Sequence, residues 1–246
     1  MIDHLSYSSI STYLLCPRSW RFHYVDKIKT PTSPSLVFGS AFHNAVEQHL
    51  TTRDPIIDLW HQAWADQLEK EQAIDWGEDT PETLCNDGVR MLSHPDAIDV
   101  LARIQPKSIE TKVVLDVLNV PVPIIGYVDL IEQDFVPADI KTSNKSWSED
   151  RANTEMQPTF YLAAIMQSGP NFNRDLKFRY YIFVKTKMPK IQVIETTRTP
   201  ADLFWLLEMI EDVWQGIERE VFPPNPGTWK CAPKWCDYWD RCRGGS

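Results

Sequence analysis

The sequence predicts an α/β (α+β) chain organised on one central, mixed, five-stranded sheet flanked by helices, with a helical insertion. Three observations carry this reading. Five short runs rich in β-branched and aromatic residues occupy 108–117, 122–132, 135–143, 176–185 and 190–197. Apolar residues recur at helical spacing before, between and after those runs. The 246 residues, 43% hydrophobic, are enough to bury one sizeable core, so 1–246 is expected to be a single domain carrying an insertion.

Residues 6–25 (SYSSISTYLLCPRSWRFHYV) are expected to form one aromatic helix capped by Ser8 or Ser9. A loop, KTPTSPS, precedes a second helix at 37–50. Residues 54–104 are helical in pattern, with breaks near Gly77 and Pro95, and hold twelve Asp/Glu against three Lys/Arg. That segment accounts for the whole net charge of −9 and is the expected insertion. Strands at 108–117, 122–132 and 135–143, with LNVP between the first two, predict a meander. Residues 149–168 follow as a helix in which Pro158 marks either a start near Thr159 or a kink. Two more strands lead into an amphipathic helix at 200–220, with Pro200 in its first turn. The cysteine-rich tail, 221–246, has no clear period.

No apolar run reaches the ~18 residues of a membrane span. MIDHLSYSS lacks a charged-then-apolar leader pattern, and five cysteines, an odd count, argue against a simple secreted disulfide framework. The expectation is a cytoplasmic protein without membrane contact. Basic residues cluster at Arg18, Arg21, Lys27 and Lys29 and at 174–198, where seven Lys/Arg stand against two acids. These are either phosphate-binding patches or the solvated faces of ordinary elements.

Strand parity makes the stretch PADIKT unusual. Asp139 and Lys141 share one face of the third strand, and Asp129 lies on the second. If the hairpin turns around Gln133–Phe135, facing residues sum to 268 and Asp129 opposes Asp139; a turn one residue different makes them diagonal neighbours. Like charges directly opposite are destabilising. A divalent cation of the Mg²⁺ or Mn²⁺ type would reverse that sign. Lys141 either neutralises the pair as a salt bridge or stands beside a bound phosphate and stabilises developing charge. His43 and Glu47 share a helix face, with Gly39 one turn earlier to admit another backbone.

The ordered set GxxxHxxxE (39–47), GYVDLI (126–131), DIK (139–141) and QxxxY (157–161) resembles the RecB-like branch of the PD-(D/E)XK nucleases, over nearly the whole chain. The resemblance implies a restriction-endonuclease-like core. It implies metal ligation by His43, Asp129, Asp139 and the Ile140 carbonyl, with Lys141 as the catalytic lysine. Gln157 and Tyr161 would line the DNA-contacting side, and Glu47 would orient rather than ligate. Asp139 stands where many relatives carry Glu. Glu110, on the first strand, would either support a metal ligand from behind or bind a second metal.

Cys231, Cys236 and Cys242 form a C-x₄-C-x₅-C cluster, with Cys16 far upstream. Four thiolates suit a [4Fe–4S] cluster or Zn²⁺. The arrangement resembles the iron–sulfur nucleases, typified by the AddB nuclease domain and the CRISPR-adaptation nucleases, although relatives often place two residues between the first two tail cysteines. Unmetallated thiols buried among Trp20, Trp229, Trp235 and Trp239 are the alternative, and Cys85 is read as an ordinary residue.

The resemblance implies a metal-dependent deoxyribonuclease, an exonuclease or single-strand-preferring enzyme in recombination, repair, phage or CRISPR-related processing, in a prokaryotic or phage setting. Its partner would be DNA, single-stranded or with free ends, approaching along 174–198 and the aromatic N-terminal helix. The acidic insertion would act as a lid, a repelling wall or a protein-docking surface. A non-catalytic DNA-binding or assembly module of the same fold, or an RNA-directed nuclease, are the alternatives.

Overall fold

The computed structural model describes residues 2–168 and 175–244. Arg174, which opens the basic stretch, and the last two residues of the tail lie outside the described residues. A six-stranded mixed sheet forms the spine. Strand β1 (Leu5–Ser6) runs parallel to the start of β3 (Ile124–Glu132), and β2 (Pro106–Leu115) lies antiparallel along the other edge of β3. Strand β4 (Pro137–Ser143) pairs antiparallel with the end of β3 and parallel with β5 (Lys177–Val184). Antiparallel β6 (Lys190–Thr197) closes the sheet. The five expected strands are all present. β1 is the addition, and two residues carry no readable period.

The expected helix over 6–25 is divided into α1 (Tyr7–Leu15), α2 (Pro17–Trp20) and a π-helical turn, Arg21–Val25. Pro17 forces the break, because the residue before a proline is driven out of helical conformation and Cys16 is extended at φ −161°, ψ 104°. The cap is Ser6, not Ser8 or Ser9; its Oγ accepts from the Ser9 N–H at 3.1 Å. Helix α3 (Pro34–Thr52) is capped by Ser33 and starts on Pro34. Helices α4 (Ile56–Lys70), α5 (Pro81–Leu92) and α6 (Pro95–Arg103) occupy the acidic segment. The expected helix at 149–168 is two helices, α7 (Glu149–Thr154) and α8 (Gln157–Ser168), separated by an extended Glu155. Pro158 sits in the first turn of α8, where a missing N–H costs nothing. Helices α9 (Pro200–Glu218) and α10 (Trp239–Cys242) follow.

Helices cover both faces of the sheet. On β5, Phe178, Tyr180 and Ile182 face the layer that holds α1, α8 and α9, whereas Tyr181 and Phe183 face the layer of α3 to α6. The helices of 54–104 share this second core: Trp60 packs on Phe38 and Phe42, and Phe42 packs on Phe183. Gly126 on β3 is needed for the first layer, since a Cβ there would lie 2.6 Å from the Phe160 ring of α8. Gly39 is not needed in that way. A Cβ would meet only the Thr142 hydroxyl, at 3.8 Å, so the expected close backbone approach is absent.

Candidate metal centre

Strands β3 and β4 pair through Leu130–Ala138 and Ile131–Pro137, the register in which paired numbers sum to 268. Beyond that pair the Ile140 N–H donates to Asp129 Oδ2 at 2.9 Å. The Asp129 carboxylate thus takes the place of a ladder carbonyl, and the two strands converge on a polar pocket instead of an apolar one.

Asp139 is 1% exposed. Its Oδ1 accepts from Lys141 Nζ and from Gln157 Nε2, each at 2.8 Å. Its Oδ2 is an ion contact of the ammonium at 2.7 Å but receives no aligned hydrogen bond. Burial works against the Lys141 charge, yet Asp139 and Asp129 outweigh it and hold the lysine pKa above its usual value.

His43 projects from α3 with Nδ1 3.4 Å from Asp129 Oδ2. Burial pushes its pKa down to about 4, so the imidazole is neutral at pH 7 and keeps a lone pair for a metal. Burial, reinforced by the Asp139 charge, pushes Asp129 up to about 8. Burial and a hydrogen bond with Glu110 push Glu47 up to about 9. Both carboxyls thus lean toward the protonated form, a tendency that a bound cation would reverse.

Ligand atoms of His43, Glu47 and Asp129 all lie within 4.8 Å of one another, the only such group of three among the described residues. Glu47, expected to orient, offers an oxygen to the same point as His43. Asp139, expected as a ligand, is not in that group of three; its Oδ1 is occupied by Lys141 and Gln157 and its Oδ2 faces the ammonium. The donor set fits Mg²⁺ or Mn²⁺: one imidazole, two carboxylates, and a buried Asp139 Oδ2 whose hydrogen-bonding capacity is unused. Glu110 sits on β2 with a left-handed φ of 50°, a conformation costly for a non-glycine residue and concentrated at functional sites.

Gln157 and Tyr161 occupy successive turns of α8 and are buried. The Tyr161 hydroxyl donates to the Tyr127 carbonyl at 2.6 Å, locking α8 onto β3 behind the carboxylates. In front, an open cleft of about 540 Å³ is lined by Ser40, His43, Asn44, Glu47 and Glu110 and, from α4, by Gln67 and Lys70. Sequence reasoning did not single out Gln67 and Lys70. Their only signal was position at the end of a helical pattern.

Within the basic stretch 174–198, several charges have partners in the fold. Arg179 pairs with Glu132, Asp134 and Glu195 across the sheet edge. Lys177 pairs with Asp175 at 3.3 Å. Buried Arg198 donates to the Ala152, Glu155 and Thr197 carbonyls, tying α7 to β6.

Cys16, between α1 and α2, lines one cavity with Cys231, Cys236 and Cys242. Burial chiefly pushes the Cys236 thiol up, with the nearby Cys16 and Cys242 adding to it. Tyr13 donates to the Val221 carbonyl at 2.7 Å, Arg18 to that of Phe222 at 2.8 Å, and Asn225 to that of Leu15 at 3.0 Å. The two chain ends are thus fastened around the thiols. The alternative of thiols buried among tryptophans fails at two positions: Trp229 is 70% and Trp235 51% exposed, packed edge to face with each other instead. Cys85 lies apart, 3.7 Å from His61 Nδ1.

Among known proteins, the family model described as PD-(D/E)XK nuclease superfamily matches residues 4–243. A crystal structure from Eubacterium rectale named "Putative exonuclease" is similar in fold, with a TM-score of 0.64 and 12% identity over 98% of this chain and 88% of that one. The structure of SSO0001 shows 16% identity over 95% of this chain and 96% of that one, with a TM-score of 0.38. No curated protein matches the chain.

Proposed function

This chain belongs to the PD-(D/E)XK nuclease superfamily, and we propose that it is a Mg²⁺- or Mn²⁺-dependent deoxyribonuclease acting on single-stranded DNA or on DNA ends, as an exonuclease. The observation that carries the reading is the convergence of Asp129, Asp139 and Lys141 at the point where β3 and β4 meet, with His43 beside them. The buried Asp139–Lys141 pair, with Asp129 and His43 beside it, supports a catalytic over a purely binding role.

His43, Asp129 and Asp139 would hold the ion, with the Ile140 carbonyl beside them and Glu47 available as a further carboxylate. The ion would supply charge neutralisation and a more acidic water for in-line attack on the scissile phosphate. The protein does the rest. Lys141 holds a positive charge where negative charge grows on the phosphate oxygens, in a site dry enough for that charge to act strongly. Gln157 fixes Asp139, Tyr161 fixes α8, and Glu110 stands beside Glu47 at the mouth of the site.

The four thiols around one cavity support a [4Fe–4S] cluster, with Zn²⁺ as the alternative, held by Cys16, Cys231, Cys236 and Cys242. A brown protein with broad visible absorption that Cys16→Ser loses is the expected result; a colourless protein with one equivalent of zinc would select Zn²⁺. We read 1–246 as one nuclease domain, with 54–104 as its helical insertion and 221–246 as its tail. Among the described residues no helix is long and apolar enough to cross a membrane, and a cytoplasmic location fits the reading. The test of activity is incubation of the purified protein with end-labelled linear and circular DNA, single- and double-stranded, and with RNA, in each metal. Release of short products from linear single strands, with circles spared, is expected. Cleavage of none of these substrates in either metal would overturn the reading.

A further inference from the structure

The cleft at the metal centre does not end there. A second open cleft, of about 650 Å³, is lined by His23, Lys27, Lys29 and Thr32 from the segment after α2 and by Lys70 and Glu71 from the end of α4. Lys70 lines both clefts, so they adjoin at that residue. None of Lys27, Lys29 and Lys70 has a carboxylate within ion-pair distance among the described residues, in contrast to Lys177 and Arg179. The one acid in the wall, Glu71, is engaged: it accepts from the Thr32 hydroxyl at 2.6 Å and from the Gln67 amide at 3.1 Å.

The two walls are stitched together. The Thr32 N–H donates to the Ala73 carbonyl at 2.9 Å and the Asp75 N–H to the Thr32 carbonyl at 3.2 Å, a short parallel bridge between 32 and 74. Lys27 takes a left-handed φ of 51°, which turns the chain out of the π-helical turn and along the cleft. A chain of net charge −9 thus keeps three unpaired lysines together on a braced groove that opens onto its catalytic cleft.

We propose that Lys27, Lys29 and Lys70 form a phosphate-binding track that holds a single DNA strand and leads it past Lys70 to the metal centre. The direction of travel rests on the nuclease reading; the binding does not. Unpaired ammonium groups in a row match the repeating phosphates of one strand and release its counterions. Lys70 is a positioning residue and the one basic group that the acidic insertion presents to both clefts. The insertion would then serve as the second wall of the strand path.

The experiment is fluorescence anisotropy with a labelled 15-mer of thymidylate and the full chain, without added divalent ion, from 50 to 200 mM salt. Wild type is compared with Lys70→Gln and with the triple variant Lys27→Gln/Lys29→Gln/Lys70→Gln, each checked for an unchanged Tm. The single-strand slope of about −0.7 per phosphate contact predicts that the triple variant's salt dependence is shallower by about 2 and the single variant's by about 0.7. The triple variant should also bind at least tenfold more weakly at low salt. Affinity within twofold of wild type and an unchanged slope would overturn the track. A uridylate 15-mer bound tenfold more tightly than the DNA would overturn the choice of DNA. Lysine-dependent binding without cleavage in any metal would refute the nuclease reading and leave the track standing. Cleavage with an unchanged slope would do the reverse.

Discussion

The Gln157 amide and Asp139 meet through a buried hydrogen bond of 2.8 Å, made by the first residue of α8 to the Oδ1 that Lys141 also holds. Eighteen residues separate the two in sequence, and the contact fixes a carboxylate that has almost no solvent to orient it.

Removal of that contact should loosen the metal centre without emptying it. Outer partners of metal ligands typically contribute about 10–100-fold in metal affinity or activity. Gln157→Leu should therefore need about 10–100-fold more Mn²⁺ for half-maximal cleavage, with most of the rate recovered at saturation. A Mn²⁺ titration of cleavage rate checks this, and an unchanged midpoint would remove Gln157 from the support of Asp139.

The pKa shifts fix how the metal-free protein responds to pH. Asp129 and Glu47 are raised in the folded state, to about 8 and about 9, so the stability they contribute is complete at low pH and is lost as pH climbs through those values. His43 is lowered to about 4, so its contribution is complete above its unfolded value near 6.5 and is lost as pH falls toward 4. Between pH 4 and 6.5 the two trends oppose. Above pH 6.5 only the carboxylates act, and the Tm of the metal-free protein should fall steadily to pH 9. Mn²⁺ should flatten that fall, and its binding near pH 7 should release protons. Calorimetry in buffers of different ionisation enthalpy reads the release directly; heat independent of buffer would contradict it.

Arg198 separates structural from substrate-binding charge. It is buried and donates to the carbonyls of Ala152 on α7, Glu155 after it and Thr197 on β6, as well as to the Thr159 hydroxyl on α8 and the Thr196 hydroxyl on β6. Hydrogen bonds from charged groups contribute about 1.5–3 kcal/mol, so Arg198→Leu should destabilise by at least that amount. Denaturant unfolding measures the loss. The affinity of the folded variant for a thymidylate 15-mer should stay at the wild-type value.

Much of the centre was legible in the sequence because strands have a period of two. Parity alone put Asp139 and Lys141 on one face, and a turn length gave the register that opposes Asp129 to Asp139. Helical spacing put His43 and Glu47 together, but not which of Glu47 and Asp139 would reach the imidazole. That depends on Lys141 and Gln157 competing for Asp139, a contact between three elements. Charge counting could not show that Arg179 is paired, for a similar reason: its partners lie at the end of β3, in the β3–β4 turn and on β6. Lys27 and Lys29 were visible as a basic cluster, whereas Lys70 joined them only through the 32–74 bridge. A two-residue β1 is below what periodicity can show.

The most direct test is the rate of cleavage of a 5′-labelled single-stranded oligonucleotide in Mn²⁺ by wild type, Lys141→Ala and Asp139→Ala, each with its Mn²⁺ affinity and Tm measured alongside. Removal of one preorganised charge-stabilising group typically costs about 10²–10³ in rate. Lys141→Ala should fall by at least that factor while it stays folded and binds Mn²⁺ as well as wild type, because it removes a cation from the site. Asp139→Ala should lose both rate and Mn²⁺ affinity. Wild-type cleavage by both variants would show that the chemistry lies elsewhere in the molecule.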